Sequence, residues 1–398
     1  MKGLTRFGCV LAVGVFVLSA VSSADTYIVD PNGFADFTTI QDAIDDASIG
    51  TGDIIQVVEG EYNEIIDFSG KAITITSADP QSKTVVANTI IGDVLPDTIS
   101  GNIVTFTTSE TAASVLTGFT VSGGTGRGIS CNHTTPTITN CVIKDNASVG
   151  MYQCDGLVQD CIIRNNSAGL SACNGEFIGC VISNNASYGL YNCECDIDNS
   201  VISRNGNDGI RAKVTVITNC TIVNNAGDGV YDSYGTSSMF NSIIVDNTDY
   251  GVNGDVYLDY NNLWNNVTAD YNGATPGAND ISADPLFADA VADDYHLKSE
   301  AGRWAGFNSW VTDDVTSPCI DAGDPASDRS NEPAPNGDLI NQGAYGNTDQ
   351  ASRSTSGAYC LEFVPGDVNF DCVVNFTDLA IMAGNWLECN LSDPGQCP

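Results

Sequence analysis

Between Pro136 and about Val256 the chain repeats one phrase six times. Take Cys141, Cys161, Cys180, Ser200, Cys220 and Ser242 as position zero of each unit; the steps between them are 20, 19, 20, 20 and 22 residues. Two residues on, every unit has isoleucine: Ile143, Ile163, Ile182, Ile202, Ile222, Ile244. Five on, every unit has asparagine: Asn146, Asn166, Asn185, Asn205, Asn225, Asn247. Gly150, Gly169, Gly189, Gly209, Gly229 and Gly251 follow, each succeeded by Met, Leu, Ile or Val. A fixed short period with columns of this kind marks a solenoid.

The residue types narrow the solenoid further. Each unit offers short β-branched runs separated by an Asn-rich turn and a glycine, and none has the i, i+3, i+4, i+7 apolar pattern of a helix. Strands stacked in register lie about 4.8 Å apart, so each column becomes a ladder of like side chains. Burying each isoleucine contributes roughly 1.5–3 kcal/mol. Each asparagine amide bonds its own turn and the next amide, at about 1 kcal/mol net. The isoleucines then supply most of the stability and the asparagines fix register, with Asn247 the last of the column. These units resemble the repeats of right-handed parallel β-helix proteins, the pectin-lyase-like superfamily, over roughly Asp53 to Asn266. The resemblance implies an all-β, right-handed parallel β-helix.

If position zero and the isoleucine point inward, strand alternation turns the residue between them outward. That column reads Val142, Ile162, Val181, Val201, Thr221, Ile243. Soluble monomers rarely leave such an apolar stripe bare. Three arrangements answer it: the segment Ala269–Gly346 folding back over it, a partner chain, or a ligand groove. A fourth is exposure of β-branched residues that simply suit strands.

The flanks divide the chain. Residues 1–24 read as a secretory signal, with Lys2 and Arg6, an apolar core from Phe7 and a small-residue site at Ser22-Ser23-Ala24. Residues 25–52 hold a strand, Thr26-Tyr27-Ile28-Val29, and a helix capped by Thr38 or Thr39, with Gln41 or Asp42 completing a capping box. Ile40, Ala43, Ile44 and Ala47 share its apolar face, suited to covering the open end of the core. Residues 53–268 are the β-helix. Residues 269–350 form an irregular closing segment, with Trp304, Trp310, Phe287 and Phe307 available to cap the second end. Residues 351–365 read as a linker and 366–398 as a separate tail. No segment beyond the signal is apolar enough to span a membrane, so the expected location is extracellular or at the cell surface.

Charge excludes one class of partner. Asp and Glu number 50 against 14 Lys and Arg, for a net charge of −36. Nucleic acid demands a basic stripe that this chain lacks, and an anionic glycan needs calcium or a local basic patch to approach. Of 15 cysteines, Cys141, Cys161, Cys180 and Cys220 share one column and Cys154, Cys173 and Cys193 another. Adjacent rungs suit the Cα spacing of a disulfide but stack wider than its Cβ spacing. Buried thiol ladders, acting as small apolar residues, are therefore expected.

The tail carries a metal motif. Asp367, Asn369 and Asp371 take positions 1, 3 and 5 of a calcium loop, the Val373 carbonyl position 7, Asn375 position 9 and Asp378 position 12. Leu379, Met382, Ala383 and Trp386 then fall on one face of a following helix. The stretch resembles a type I dockerin repeat, which implies bound Ca2+ and docking to a cohesin-like scaffold. Cys372 stands where such a loop has glycine, and the chain has one repeat where a dockerin has two. Cys360, Cys372, Cys389 and Cys397 add a second means of stapling the tail.

Catalytic signals inside the β-helix are few. Asn247-Thr248-Asp249 matches part of a polygalacturonase motif, but Asn247 belongs to the ladder and the partner motifs are missing. His133 and His296 read as surface or capping residues. Lys144 and Arg164 lie three residues past position zero on adjacent rungs, facing outward, with Asp145 beside them and Arg204 and Arg211 further along. β-Helix lyases use such a cation to take the proton α to a uronate carboxyl. Two functions follow: an exported protein that binds or processes polysaccharide, as lyase or glycoside hydrolase if it is an enzyme, or a non-catalytic structural or adhesive surface protein.

Overall fold

The computed structural model describes residues 24–95, 98–211, 216–232, 234–235, 237–306 and 309–355. Three parallel sheets of 11, 10 and 10 strands run the length of a right-handed-type β-solenoid of about 11 turns. The first sheet begins at Thr26–Val29 and ends at Tyr257–Asp259; the second runs from Gly60–Tyr62 to Asn262–Trp264 and the third from Ile66–Asp67 to Ala269–Asn272. The position-zero phrase of the sequence forms the second sheet, where Ile143, Ile163, Ile182, Ile202, Ile222 and Ile244 pair in register and are wholly buried.

The asparagine column turns the chain from the second sheet into the third. In each rung the backbone N–H and Nδ2 both donate to Oδ1 of the next asparagine, and Nδ2 also donates to a carbonyl of the rung before. The ladder does not stop at Asn247. It continues through Asn266 and ends on the carboxylate of Asp270. The glycine column is required for space rather than for a special φ: a Cβ at Gly150 would lie 2.6 Å from Cγ2 of Ile163 and 2.9 Å from Nδ2 of Asn166 on the next rung.

Two corners of each rung, and a third where Gln153, Ala172 and Asn192 stand, sit in left-handed backbone. Asn140, Asp160, Asn199, Asn219 and Asn241 do so just before position zero. Asp145, Asn165, Asn184, Asn224, Asp246 and Asn265 do so just before the ladder asparagine. Asn and Asp tolerate this region best among residues with a Cβ, which is why the phrase is rich in them.

The position-zero cysteines do more than fill space. Cys161 Sγ accepts the N–H of Cys141 at 3.5 Å, and Ser200 Oγ accepts that of Cys180 at 3.0 Å. Thiol and hydroxyl alternate in this column because both serve the same hydrogen bond. Asn261 and Asp280 extend the column in the same way. Among the described residues eight cysteines are free and buried, but Cys131 and Cys154 of the third sheet form a disulfide between adjacent rungs, with Cα atoms 4.8 Å apart. The expectation of thiols alone fails there.

At the N-terminal side, helix α1 (Ile40–Asp45) buries Ile40, Ala43 and Ile44 in the main core. Thr39 Oγ1 accepts the N–H of Asp42. Glu64, not a residue of the helix itself, receives the N–H groups of Ile40 and Gln41 at 2.8 and 2.9 Å. Ala47 lies beyond the helix and is exposed, and Ile49 is buried instead.

Most of the closing segment does not cap the second end. It lies along the outer face of the second sheet, where Tyr295, Leu297, Cys319, Ile320 and Ala344 pack with Val201, Val223, Ile243 and Val245 in a second apolar cluster. Ala344 N–H donates to Thr221 Oγ1 at 3.1 Å, and Asn199 Nδ2 donates to the carbonyls of Ala344 and Gly346. The outward apolar stripe is thus covered by the chain itself from Val181 onward. Trp304 and Trp310 pair with each other on a small hairpin, with the Arg353 guanidinium 4.2 Å over Trp310, and take no part in the cover. Phe307 lies outside the described residues, as do the signal and tail. Tyr271 and Ala274, just past the last full turn, pack against the end of the main core.

Candidate functional site

Lys144 and Arg164 are register partners on the outer face of the second sheet. Lys144 Nζ lies 3.1 Å from Asp145 Oδ2, and Asp145 Oδ1 accepts Nδ2 of Asn165. Arg164 is exposed. The other two arginines do not join them. Arg204 binds Asp293 at 3.1 Å and the carbonyls of Ala290 and Val291, fastening the closing segment. Arg211 sits on the third sheet, paired with Asp208 and 4.5 Å over the ring of Tyr231.

A different place gathers more chemistry, and the sequence reading passed it over. Where the third sheet turns into the first, a groove of about 540 Å³ is lined by Asp155, Glu176, Glu194 and Asp196 over a floor that includes Gly156 and Gly175. Glu176 and Asp196 are register partners, so their Cα atoms stand one strand spacing apart. Above them His133 Nδ1 lies 3.0 Å from Asp155 Oδ2, and Asp155 Oδ1 accepts the N–H of Asn174 at 3.0 Å.

The backbone is arranged around that His–Asp pair. The strand Ile129–Thr134 slips register between Ser130 and Thr134, and Asn132 and His133 take φ values of 47° and 63°. Irregularities of this kind re-aim side chains, and here the result is His133 facing Asp155 on the next rung. The Cys131–Cys154 disulfide ties the residue before this bulge to the residue before Asp155. The signal available in the sequence was Cys131-Asn132-His133 placed one rung above Cys154-Asp155.

Further along the first sheet, burial pushes the Asp198 carboxyl up, with the charge of Glu176 adding to it, and burial does the same to Asp160. The same corner opens again several rungs on. A groove of about 600 Å³ is lined there by Asp255, Tyr257 and Asp259. Tyr257 is exposed and leans on Phe240, ring centroids 5.7 Å apart. One corner of the solenoid therefore carries two grooves along its axis, one lined by four carboxylates, of which Asp155 bonds His133, the other by an exposed aromatic ring.

His296, the second histidine, is buried in the closing segment. It stacks on Tyr345 with centroids 3.7 Å apart and bonds Asp294 at 2.6 Å. The calcium-loop residues Asp367, Asn369, Asp371, Val373, Asn375 and Asp378 lie outside the described residues. Among the described residues no group of three or more His, Cys, Asp or Glu is placed to hold a metal ion.

Comparison with solved structures settles the fold. Pectate lyase Pel9A matches with a TM-score of 0.56 at 16% identity, covering 82% of this chain and 97% of that one. The chain has a pectate-lyase-like β-helix fold. The A-module of mannuronan C-5 epimerase AlgE4 from Azotobacter vinelandii matches at a TM-score of 0.40 and 13% identity, over 61% of this chain and 92% of that one. Pectin methylesterase PemA from Erwinia chrysanthemi matches at 0.37 and 12%, over 68% and 94%. Residues 158–323 match the family model described as "Disaggregatase related". That stretch includes both the later rungs and part of the segment folded onto them. No curated protein matches the chain. No helix among the described residues is long and apolar enough to cross a membrane.

Proposed function

We propose that this is an exported protein whose β-helix binds or processes a polysaccharide laid along the corner between its third and first sheets. The pair of grooves in line on that corner carries the reading: a linear polymer fits a trough that repeats along a solenoid axis. Carboxylates and a histidine at one point of the trough suit acid–base chemistry on a glycosidic bond or its hydroxyls, and Tyr257 offers a face for a sugar ring. The fold neighbours that act on pectin and related glycans support the same class of ligand. Lys144 Nζ is already held by Asp145, whereas the grooved corner gathers four carboxylates, so that corner is favoured over the Lys144/Arg164 pair.

In this reading helix α1 closes the N-terminal end of the core and the tail is a calcium-binding module that tethers the protein or docks it to a scaffold. Asp367, Asn369, Asp371, the Val373 carbonyl, Asn375 and Asp378 would hold Ca2+, whose hard-oxygen preference they meet. Incubation of the full chain with neutral and uronate glycans, read by unsaturated-product absorbance, reducing ends and retardation in glycan-containing gels, tests the reading. Retardation or turnover should be lost on Asp155→Asn and Glu176→Gln. A panel in which no glycan retards or is turned over would leave the adhesive or structural alternative in its place. For the tail, titrating Ca2+ into the full chain should give a calorimetric signal that Asp367→Ala with Asp371→Ala abolishes.

A further inference from the structure

The outer face of the second sheet is covered by the chain from both sides, and the two covers do not meet. On the N-terminal side Thr120 Oγ1 donates to the Val86 carbonyl of helix α2 (Lys83–Asn88) and Ser122 Oγ to the Asp93 carbonyl. On the other side the closing segment begins its contact at Val181. Between them Val142 and Ile162 stay half-buried, continuing a column whose later members Val201 and Ile243 are packed away. Beside them stand Lys144 and Arg164, and no other register partners among the described strands are both basic.

We propose that this open interval is the docking site of the chain's own C-terminal segment, residues 366–398. Three observations select that occupant. From residue 356 onward the sequence contains Glu362, Asp367, Asp371, Asp378, Glu388 and Asp393 and no Lys, Arg or His. On a protein of net charge −36, such a segment is repelled by most of the surface and least at this interval, where Arg164 is exposed and Asp145 offsets only Lys144. Second, Leu379, Met382, Ala383 and Trp386 recur at helical spacing, an apolar stripe that matches the Val142/Ile162 floor. Third, the described chain runs out through Ser354, which donates its N–H to Pro335 and bonds Asp321 within the closing segment on this same sheet. The ten residues 356–365 reach about 33 Å when extended, against roughly 19–24 Å for the four to five strand spacings from the rung of Asn241, where Asp324 fastens this part of the closing segment, to those of Ile162 and Val142.

The docked tail would hide the face that reads as its scaffold-docking surface until a scaffold competes for it. The inference is independent of the corner grooves, and either can fail while the other stands. Acetylation of the full chain by an amine-reactive reagent, with Ca2+ present, measures it through the labelling rate of Lys144, with Lys298 of the closing segment as internal reference. Trp386→Ala with Met382→Ala, and separately Glu388→Lys, should each raise the Lys144 rate at least threefold while leaving the Lys298 rate and the far-ultraviolet circular dichroism unchanged. Equal Lys144 rates in wild type and all variants would overturn the proposal. Protection that falls on dilution would also overturn it, since the tail would then come from a second copy. So would protection that appears only when a glycan is added.

Discussion

Asn247 donates its backbone N–H and its side-chain amide to Oδ1 of Asn266, at 3.1 and 2.9 Å. The pair continues a ladder that the repeat alone would end at Asn247. Asn185, mid-stack, makes the same two bonds to Asn205 at 3.1 and 3.0 Å. Both residues are buried, so replacing either leaves donors and acceptors of the flanking rungs unpaired. Asn185→Leu and Asn247→Leu should therefore lose comparable stability, each on the order of 1–3 kcal/mol. Urea unfolding of the two variants checks this. A loss at Asn247 well below that at Asn185 would mean the bonds to Asn266 are not maintained in solution.

How much of this was legible depends on whether the information was periodic. The columns Ile143 to Ile244 and Asn146 to Asn247 announced the solenoid and its register, because each rung repeats one environment. Asn266 was missed because its rung lacks the Cys or Ser at position zero, where Asn261 makes the same bonds by a different side chain. The covered stripe was legible as a requirement, but the covering residues were not. Tyr295, Leu297 and Ile320 are set in a segment without period, while the conspicuous tryptophans pair with each other. The His133–Asp155 pair was missed for a related reason. It depends on a register slip and two left-handed residues in an irregular coil, and no column predicts such a slip.

Thiol chemistry separates the ladders from the disulfide. Burial pushes the thiols of Cys180 and Cys319 up to about 12, and those of Cys161, Cys173, Cys193 and Cys220 are raised in the same way. Thiolate is the reactive form, so iodoacetamide at pH 8 should leave these six unmodified in the native protein and modify all of them in denaturant. Peptide mapping should recover Cys131 linked to Cys154. Closing a loop with a separation of 23 residues, that bond is worth roughly 3 kcal/mol. Native labelling of the column thiols would show that the rungs open.

Tyr295 is the largest side chain of the closing segment buried against the second sheet, touching Phe287 edge-on and reaching Asp293 with its hydroxyl. Tyr295→Ala should free the segment from Val201 and Ile243 while the three sheets stay paired. The expected result is increased binding of a hydrophobic dye and faster proteolysis within 287–346, with far-ultraviolet circular dichroism nearly unchanged. A variant that unfolds in one step with loss of the sheet signal would mean that solenoid and cover form a single cooperative unit.

Glu332 gives the closing segment a dependence on pH. Its Oε1 accepts the N–H groups of Asn341 and Asn347, at 2.9 and 3.0 Å, while Oε2 is buried with no partner. Burial pushes its carboxyl up to about 7 from an ordinary 4.5, against the pull of those two N–H groups. Below about 4.5 the group is protonated folded or unfolded and its full contribution is present. Between 4.5 and 7 the folded state keeps a proton that the unfolded chain has released, so stability falls as pH rises, and the loss is complete above about 7. A shift of this size is worth at most roughly 3 kcal/mol. Glu332→Gln mimics the protonated group at every pH. Its stability relative to wild type should accordingly rise between pH 4.5 and pH 8, read from urea midpoints at the two values. A difference that stays constant across that range would show that the carboxylate is solvated and that the segment is not held tightly around it.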